Sequence, residues 1–403
     1  MQNHGKAAYR AMVRGDALSR EHLNGHGNAI AQSYNHSILP LLSPRDRDLQ
    51  IAWGIEDFEY RFGRRPKGMW LPECALDHDT LSSVAAAGIK FVILGPQQGH
   101  YHGEQANTRA AGPFLWSSGS EEVAIFRFDR EMSSTISFGQ GLDDGGRLAE
   151  WMTATALALP EGSALLFATD GETFGHHKKN GAAELARALI LLQRRDDIVL
   201  TNCEQYLAEH GAQGKFTIDG PSAWSCTHGV ERWRSDCGCR LEAGTHQEWR
   251  QPLRSAMEFV NNHVEAVYDR FAPPLVKDPF GAVRSSIRLM IDSDPATHER
   301  WFTKFGVSGE VSRERLLRLL EMVRAGQAAL TSCAWFFDDF GGPEGRVALR
   351  WAARAIELAA ELSPSIESEV LERLREIRSN RHEIGDAATL YLSLKTREAR
   401  GRV

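Results

Sequence analysis

Up to about Gly211 the hydrophobic positions run alternately in two periods. Residues 45–62 (RDRDLQIAWGIEDFEYRF) put Leu49, Trp53, Ile55 or Glu56, and Phe62 at roughly helical spacing, behind a Ser43-Pro44 start that suits an N-cap followed by proline at the first helical position. A short run, KGMWLPE, then ends in a carboxylate. Residues 81–87 predict a helix stopped by Gly88, and the unbroken apolar runs 89–94 (IKFVIL) and 123–128 (VAIFRF) predict buried strands. A helix is expected over 147–159, a strand over 163–168 (SALLFA) that ends in TDGE, an amphipathic helix over 182–194, and a strand over 198–201. Repeated strand and helix units of this kind predict a parallel sheet.

Beyond Gly220 the pattern changes. A loop rich in Trp, Cys and Gly (PSAWSCTHGVERWRSDCGC) gives way to helical periodicity at 249–271, 282–291, 313–333, 345–361 and 366–378. Pro273-Pro274 and the segment 339–345 break it, and no repeat of 20 to 50 residues is present. The expected organisation is an α/β, barrel-like domain over 1–220, followed by a substrate loop and helical C-terminal domain over 221–403.

The 403 residues exclude a single small module, and 42% hydrophobic residues with 10 Trp and 18 Phe suffice for a sizeable core. Lys plus Arg (47) against Asp plus Glu (53) gives a net charge of −6, which offers nothing to a nucleic-acid backbone or an anionic membrane and leaves a neutral ligand as the expected partner. The first residues lack the apolar core of a signal peptide and no window approaches 18 uninterrupted apolar residues, so a cytoplasmic location is expected. There the six cysteines would stay reduced, most of them as small core residues. No GxGxxG or GxxxxGK[ST] element follows a strand and no GxSxG elbow occurs, so neither a nucleotide cofactor nor serine-hydrolase chemistry is expected, and no cofactor is assigned.

In parallel βα architectures the working residues sit at the carboxyl ends of strands. Two carboxylates meet that condition: Glu73, closing Met69-Trp70-Leu71-Pro72-Glu73, and Asp170, following Leu165-Leu166-Phe167-Ala168-Thr169. Paired carboxylates with tryptophan nearby suit glycosidic cleavage, one protonating the leaving oxygen and one attacking or stabilising the anomeric carbon. The alternative is that both are helix caps. Adjacent His176 and His177 point to different sides and do not make a metal site; His100 and His102 read as a solvated loop. Cys226, His228, Cys237 and Cys239 provide four N/S groups within fourteen residues, enough to close a tetrahedron, although CGC is not the usual CxxC knuckle; no metal is assigned and the zinc question stays open.

The ordered set of motifs resembles glycoside hydrolase family 57, retaining enzymes active on α-glucans, and within it the branch with a C-terminal region of unknown function. GMWLPECALD (68–77) is similar to the segment carrying the nucleophile, which falls on Glu73, with Trp70 beside it. TDGETFGHH (169–177) is similar to the segment carrying the general acid/base, which falls on Asp170, with Glu172, Gly175 and His176 as companions. YNHSILPLL (34–42) resembles the substrate-pocket segment and implicates His36; PSAWSCTHGVERW (221–233) resembles the loop supplying sugar-stacking Trp224 and Trp233. SCAWFFDDFGG (332–342) resembles the helical segment that closes the site, implying that Trp335 and Asp338 face sugar.

The resemblance implies a (β/α)7-type barrel followed by a helical domain. It implies a retaining glycosidase that attacks α-linked glucan through a covalent intermediate on Glu73, with the two carboxyl groups about 5–5.5 Å apart and Asp170 the proton holder. The family begins with a strand bearing a His-Gln-Pro type element, and no such element occurs here, so the barrel is expected to lack its first strand and the chain to fold or turn over poorly. The alternatives are an α-glucanotransferase or branching enzyme, in which a sugar hydroxyl replaces water, and a catalytically silent carbohydrate-binding protein.

Overall fold

The computed structural model describes residues 5–401. It separates into two compact units threaded through one another in sequence: residues 5–31, 65–70 and 76–224 form the first, and residues 32–64, 71–75 and 225–401 the second.

The first unit carries an α/β fold. Its strands are β1 (Ala31–Gln32, whose second residue belongs to the other unit), β2 (Gly68–Trp70), β3 (Phe91–Leu94), β4 (His100–His102), β5 (Phe114–Ser118), β6 (Glu121–Arg127) and β7 (Gly214–Thr217), in the order β1-β2-β3-β6-β5-β7-β4. The sheet is mixed, which corrects the parallel expectation. β2, β3 and β6 are parallel neighbours, and β5 is parallel to β7, but the β5–β6 hairpin and the β4–β7 pair are antiparallel. The cause is local: only Gly119 and Ser120 separate β5 from β6, too short for a crossover and right for a hairpin.

Two predicted strands do not form. Two carbonyls of residues 163–168 accept backbone hydrogen bonds, Ala164 O from Ala111 N–H (2.8 Å) and Leu166 O from Asp129 N–H (2.6 Å), without the segment becoming a strand. Their side chains Leu165 and Phe167 instead pack with Met132, Ile136, Leu148 and Ala188 in a helical core cluster. Residues 198–201 are likewise irregular, with Val199 exposed. Conversely, His100 and His102 lie on β4 rather than in a loop, paired with Thr217 and Lys215.

Buried Arg127 organises the loop before β5. Its guanidinium donates to the carbonyls of Gln105, Ala106, Thr108 and Ala110 and lies over the rings of Tyr101 and Phe114. Satisfying this many carbonyls with one cation holds a loop that has no regular structure of its own.

The second unit is helical. Helix Pro44–Phe62 begins as its sequence predicts, with Ser43 Oγ accepting from Asp46 N–H, and ends at Gly63 in the left-handed region (φ 65°). It buries Trp53, whose indole N–H donates to Val283 O at 3.0 Å. The longer helices Arg250–Phe271, Glu310–Ala328 and Pro343–Ala359 bury Leu253, Met257, Val264, Leu316, Val323, Leu349 and Ile356 among one another. The single expected helix over 282–291 is two, Pro279–Arg284 and Ile287–Ile291, and Pro295–Phe305 is an additional one with Asp294 as its N-cap. No helix among the described residues is long and apolar enough to cross a membrane.

Candidate functional site

Glu73 follows β2 on a single 3-10 turn, Pro72–Cys74, and stands at φ 59°, with Cys74 at φ 49°. Left-handed backbone disfavours residues with a Cβ, and two in succession persist only where the surroundings impose them. Apart from these two, the positive-φ residues other than glycine among the described residues are Asn24 and His36, so the strain gathers at two of the residues marked by the sequence motifs. The half-buried Glu73 carboxylate accepts a hydrogen bond from Ser225 Oγ at 2.5 Å through Oε2, which fixes its rotamer.

His36, at φ 54°, belongs to the same unit as Glu73. Its Nδ1 and Ser332 Oγ are 2.7 Å apart, Ser332 N–H donates to its carbonyl, and Ser37 bridges Thr331. Next to Ser332, the Cys333 thiol is pushed above the ordinary thiol range by desolvation against the surrounding protein, although its residue is exposed, with the negative charge of Glu73 adding to it. Through Ser332 and Cys333 the second unit thus brings His36 and Glu73 into one neighbourhood. Ser225 and Ser332 went unread in the sequence, because an isolated serine carries no signal of its own.

Asp170 lies in the first unit. It precedes a 3-10 turn, Gly171–Thr173, and its side chain makes no capping hydrogen bond there, so the helix-cap alternative does not describe it. Asp170, Glu172 and His176 are all exposed, and the His176 and His177 rings meet edge to face at 4.8 Å. Glu73 is not a side-chain cap of its turn either; the capping carboxylate nearby is Asp77, which accepts from Thr80 N–H.

Trp70 and Trp224, both in the first unit and half-buried, meet edge to face at 5.1 Å, and Trp224 also meets Phe128 at 5.9 Å. Gln97 Nε2 donates to Trp224 O at 3.2 Å. These two indoles form a partly open aromatic corner.

The other aromatic expectations are corrected. Trp233 and Trp335 are fully buried; Trp335 Nε1 donates to Arg250 O at 3.0 Å, so both are core residues with no face for a ligand. Asp338 is equally occupied: its carboxylate accepts from Leu241 N–H and Glu242 N–H and pins the end of the loop that follows Trp233. A buried carboxylate held by two backbone donors and Gln247 Nε2 acts as a loop anchor.

In that loop the side chains of Cys226, His228, Cys237 and Cys239 converge, with all potential ligand atoms within 4.8 Å of one another. Burial pushes the Cys237 thiol up to about 11; Cys239 is also opposed by burial, but hydrogen bonds from His228, Cys237 and Cys226 bring it down to about 7.

Comparison with known proteins bears on both halves of the chain. Residues 22–219 match the model of glycosyl hydrolase family 57, and residues 245–399 match a domain of unknown function (DUF3536). A probable 1,4-alpha-glucan branching enzyme of Mycobacterium tuberculosis is 38% identical over 102 residues, 25% of this chain and 18% of the relative. The 1,4-alpha-glucan branching enzyme of Thermococcus kodakarensis is 47% identical over 53 residues, 13% of this chain and 8% of the relative. These alignments therefore span less than a fifth of the curated relatives. Among solved structures, an exo-type maltose-forming amylase from Pyrococcus sp. ST04 superposes with a TM-score of 0.67 at 16% identity, covering 88% of this chain and 66% of the other. At that identity the likeness establishes the fold.

Proposed function

We propose that this chain, whose residues 22–219 match the model of glycosyl hydrolase family 57, is a glycosidase-type enzyme that cleaves α-linked glucan with retention of configuration, Glu73 acting as nucleophile and Asp170 as acid/base. The observation that carries the reading is Glu73 itself. A half-buried carboxylate on left-handed backbone, oriented by Ser225, stands in the motif where the family resemblance puts the nucleophile.

In this mechanism a Glu73 oxygen forms a bond to the anomeric carbon as the glycosidic C–O bond breaks, and the Asp170 carboxyl gives its proton to the departing oxygen. Asp170, now a carboxylate, removes a proton from the incoming hydroxyl, whose oxygen displaces Glu73. Trp70 and Trp224 contribute an apolar surface for a sugar ring, and His36 a polar contact. Glu172 and His176 flank Asp170 and are assigned to substrate binding.

The incoming hydroxyl distinguishes two outcomes. Water gives hydrolysis, whereas a sugar hydroxyl gives transfer, which is favoured by the branching-enzyme names of the relatives just described. Incubation with maltooligosaccharides and amylose, followed by linkage and reducing-end analysis, separates them. Net gain of reducing ends marks hydrolysis; new α-1,6 linkages or redistributed chain lengths without that gain mark transfer. Glucan binding with no product of either kind would instead assign a carbohydrate-binding role.

A further inference from the structure

The loop that opens the second unit brings three thiols and an imidazole to one point. Cys226 and His228 form one pair with a single residue between them, Cys237 and Cys239 a second, and the eight residues 229–236 lie between the pairs. Gly229 (φ 76°) follows the first pair and Gly238 (φ 79°) lies inside the second, where left-handed backbone turns the chain sharply enough for both side chains to face the same centre. A Cβ at Gly238 would meet nothing, so the glycine is there for its backbone rather than for space.

The distances discriminate between the chemistries open to such a cluster. Cys226 Sγ and Cys239 Sγ are 3.9 Å apart, and Cys239 Sγ lies 3.6 Å from His228 Nδ1. A disulfide needs about 2.05 Å between sulfurs. A tetrahedral zinc ion, with bonds of about 2.3 Å to sulfur and about 2.0–2.1 Å to nitrogen, has edges of about 3.8 Å between sulfurs and about 3.5 Å between sulfur and nitrogen. The two shortest recorded separations are close to those edges, and every other pair of ligand atoms in the cluster lies within 4.8 Å.

Charge points the same way. Three thiolates and one neutral imidazole around a divalent ion leave a net charge of −1. Arg250, fully buried, and Arg232, nearly so, act electrostatically on Cys239, while their guanidinium hydrogen bonds go to the backbone carbonyls of Cys239, Phe337 and Phe336. Asp338 compensates part of this positive charge on Arg250, and an anionic metal–thiolate centre at the cluster offsets more of it.

We infer that Cys226, His228, Cys237 and Cys239 form a structural Cys3His zinc site. All four positions are filled by protein, so the ion has no open position and serves to lock the loop that holds the buried Trp233 turn. Binding is balanced as one zinc ion displacing three thiol protons, the imidazole supplying its lone pair.

The full chain, purified without chelator and desalted, is assayed for metal by mass spectrometry. About one zinc per chain is expected. The Cys237→Ser, Cys239→Ser double variant loses it, and Cys203→Ala, altering a cysteine outside the loop, keeps it. Replacement by cobalt(II) gives the intense sulfur-to-metal charge-transfer bands and visible d–d bands of a tetrahedral thiolate site, and proton release accompanies refilling of the chelator-stripped protein. Wild-type protein that carries no zinc and takes up neither added zinc nor cobalt overturns the assignment, as does a disulfide among these cysteines in freshly reduced protein.

Discussion

The most informative residue is Glu73, because its backbone and its side chain are constrained separately. Left-handed φ at Glu73, Cys74 and His36 costs about 1–3 kcal/mol each, a cost which the surrounding structure must offset. Ser225 fixes the carboxylate, and a hydrogen bond to a charged group is worth about 1.5–3 kcal/mol. We therefore expect Ser225→Ala to lower kcat/KM on glucan about ten- to a hundredfold. Glu73→Gln lowers it about a thousandfold or more. Because serine acts through glutamate, the double variant is no worse than Glu73→Gln alone; additive losses would separate the two residues. The sequence singled out Glu73 and His36 through their motifs. It could not reveal their strain, since nothing in GMWLPECALD demands left-handed backbone at a glutamate. Nor could it reveal that Trp233, Trp335 and Asp338 are buried, because a side chain in a motif looks the same whether it faces a ligand or the core.

Among the elements, helices were legible where a cap and an apolar stripe coincide, as at Ser43 and residues 44–62. Strands were not, where an apolar run such as 163–168 is absorbed by neighbouring helices instead of by a ladder. Helix Pro44–Phe62 gives a direct test of packing against propensity. A Cβ on Gly54 would lie 1.9 Å from Gln32 O, so Gly54→Ala is expected to destabilise by about 1–3 kcal/mol, although alanine alone would favour the helix by about 1 kcal/mol. A lower denaturant midpoint checks this; a higher one would mean that the backbone can yield.

Helix Arg250–Phe271 carries a pH response. Burial, with the neighbouring Asp46 carboxylate, raises Glu265 to about 9, while Gln327 bonds both acids. Between an ordinary unfolded pKa near 4.5 and the raised folded value, the native state holds a proton that the unfolded state has lost. Stability therefore falls as pH rises across that window. Glu265→Gln, unable to ionise, should flatten this slope and melt higher than wild type at pH 8. Parallel pH profiles of the two proteins would contradict the assignment.

For the whole molecule, the chain crosses between its units at 31/32, 64/65, 70/71, 75/76 and 224/225. A reading by composition sees one change of character near residue 220 and cannot see the earlier excursions, because 32–64 and 71–75 look locally like any other βα segment. One excursion gives Glu73 to the helical unit, and the first unit keeps Asp170. The catalytic account is tested most directly by trapping its intermediate. The protein is incubated with a fluorinated α-glucosyl fluoride that glycosylates a retaining enzyme faster than the adduct hydrolyses, then digested and analysed by mass spectrometry. The account predicts one added glycosyl group on the peptide containing Glu73, absent from Glu73→Gln; an adduct on a different carboxylate, or none, would contradict it.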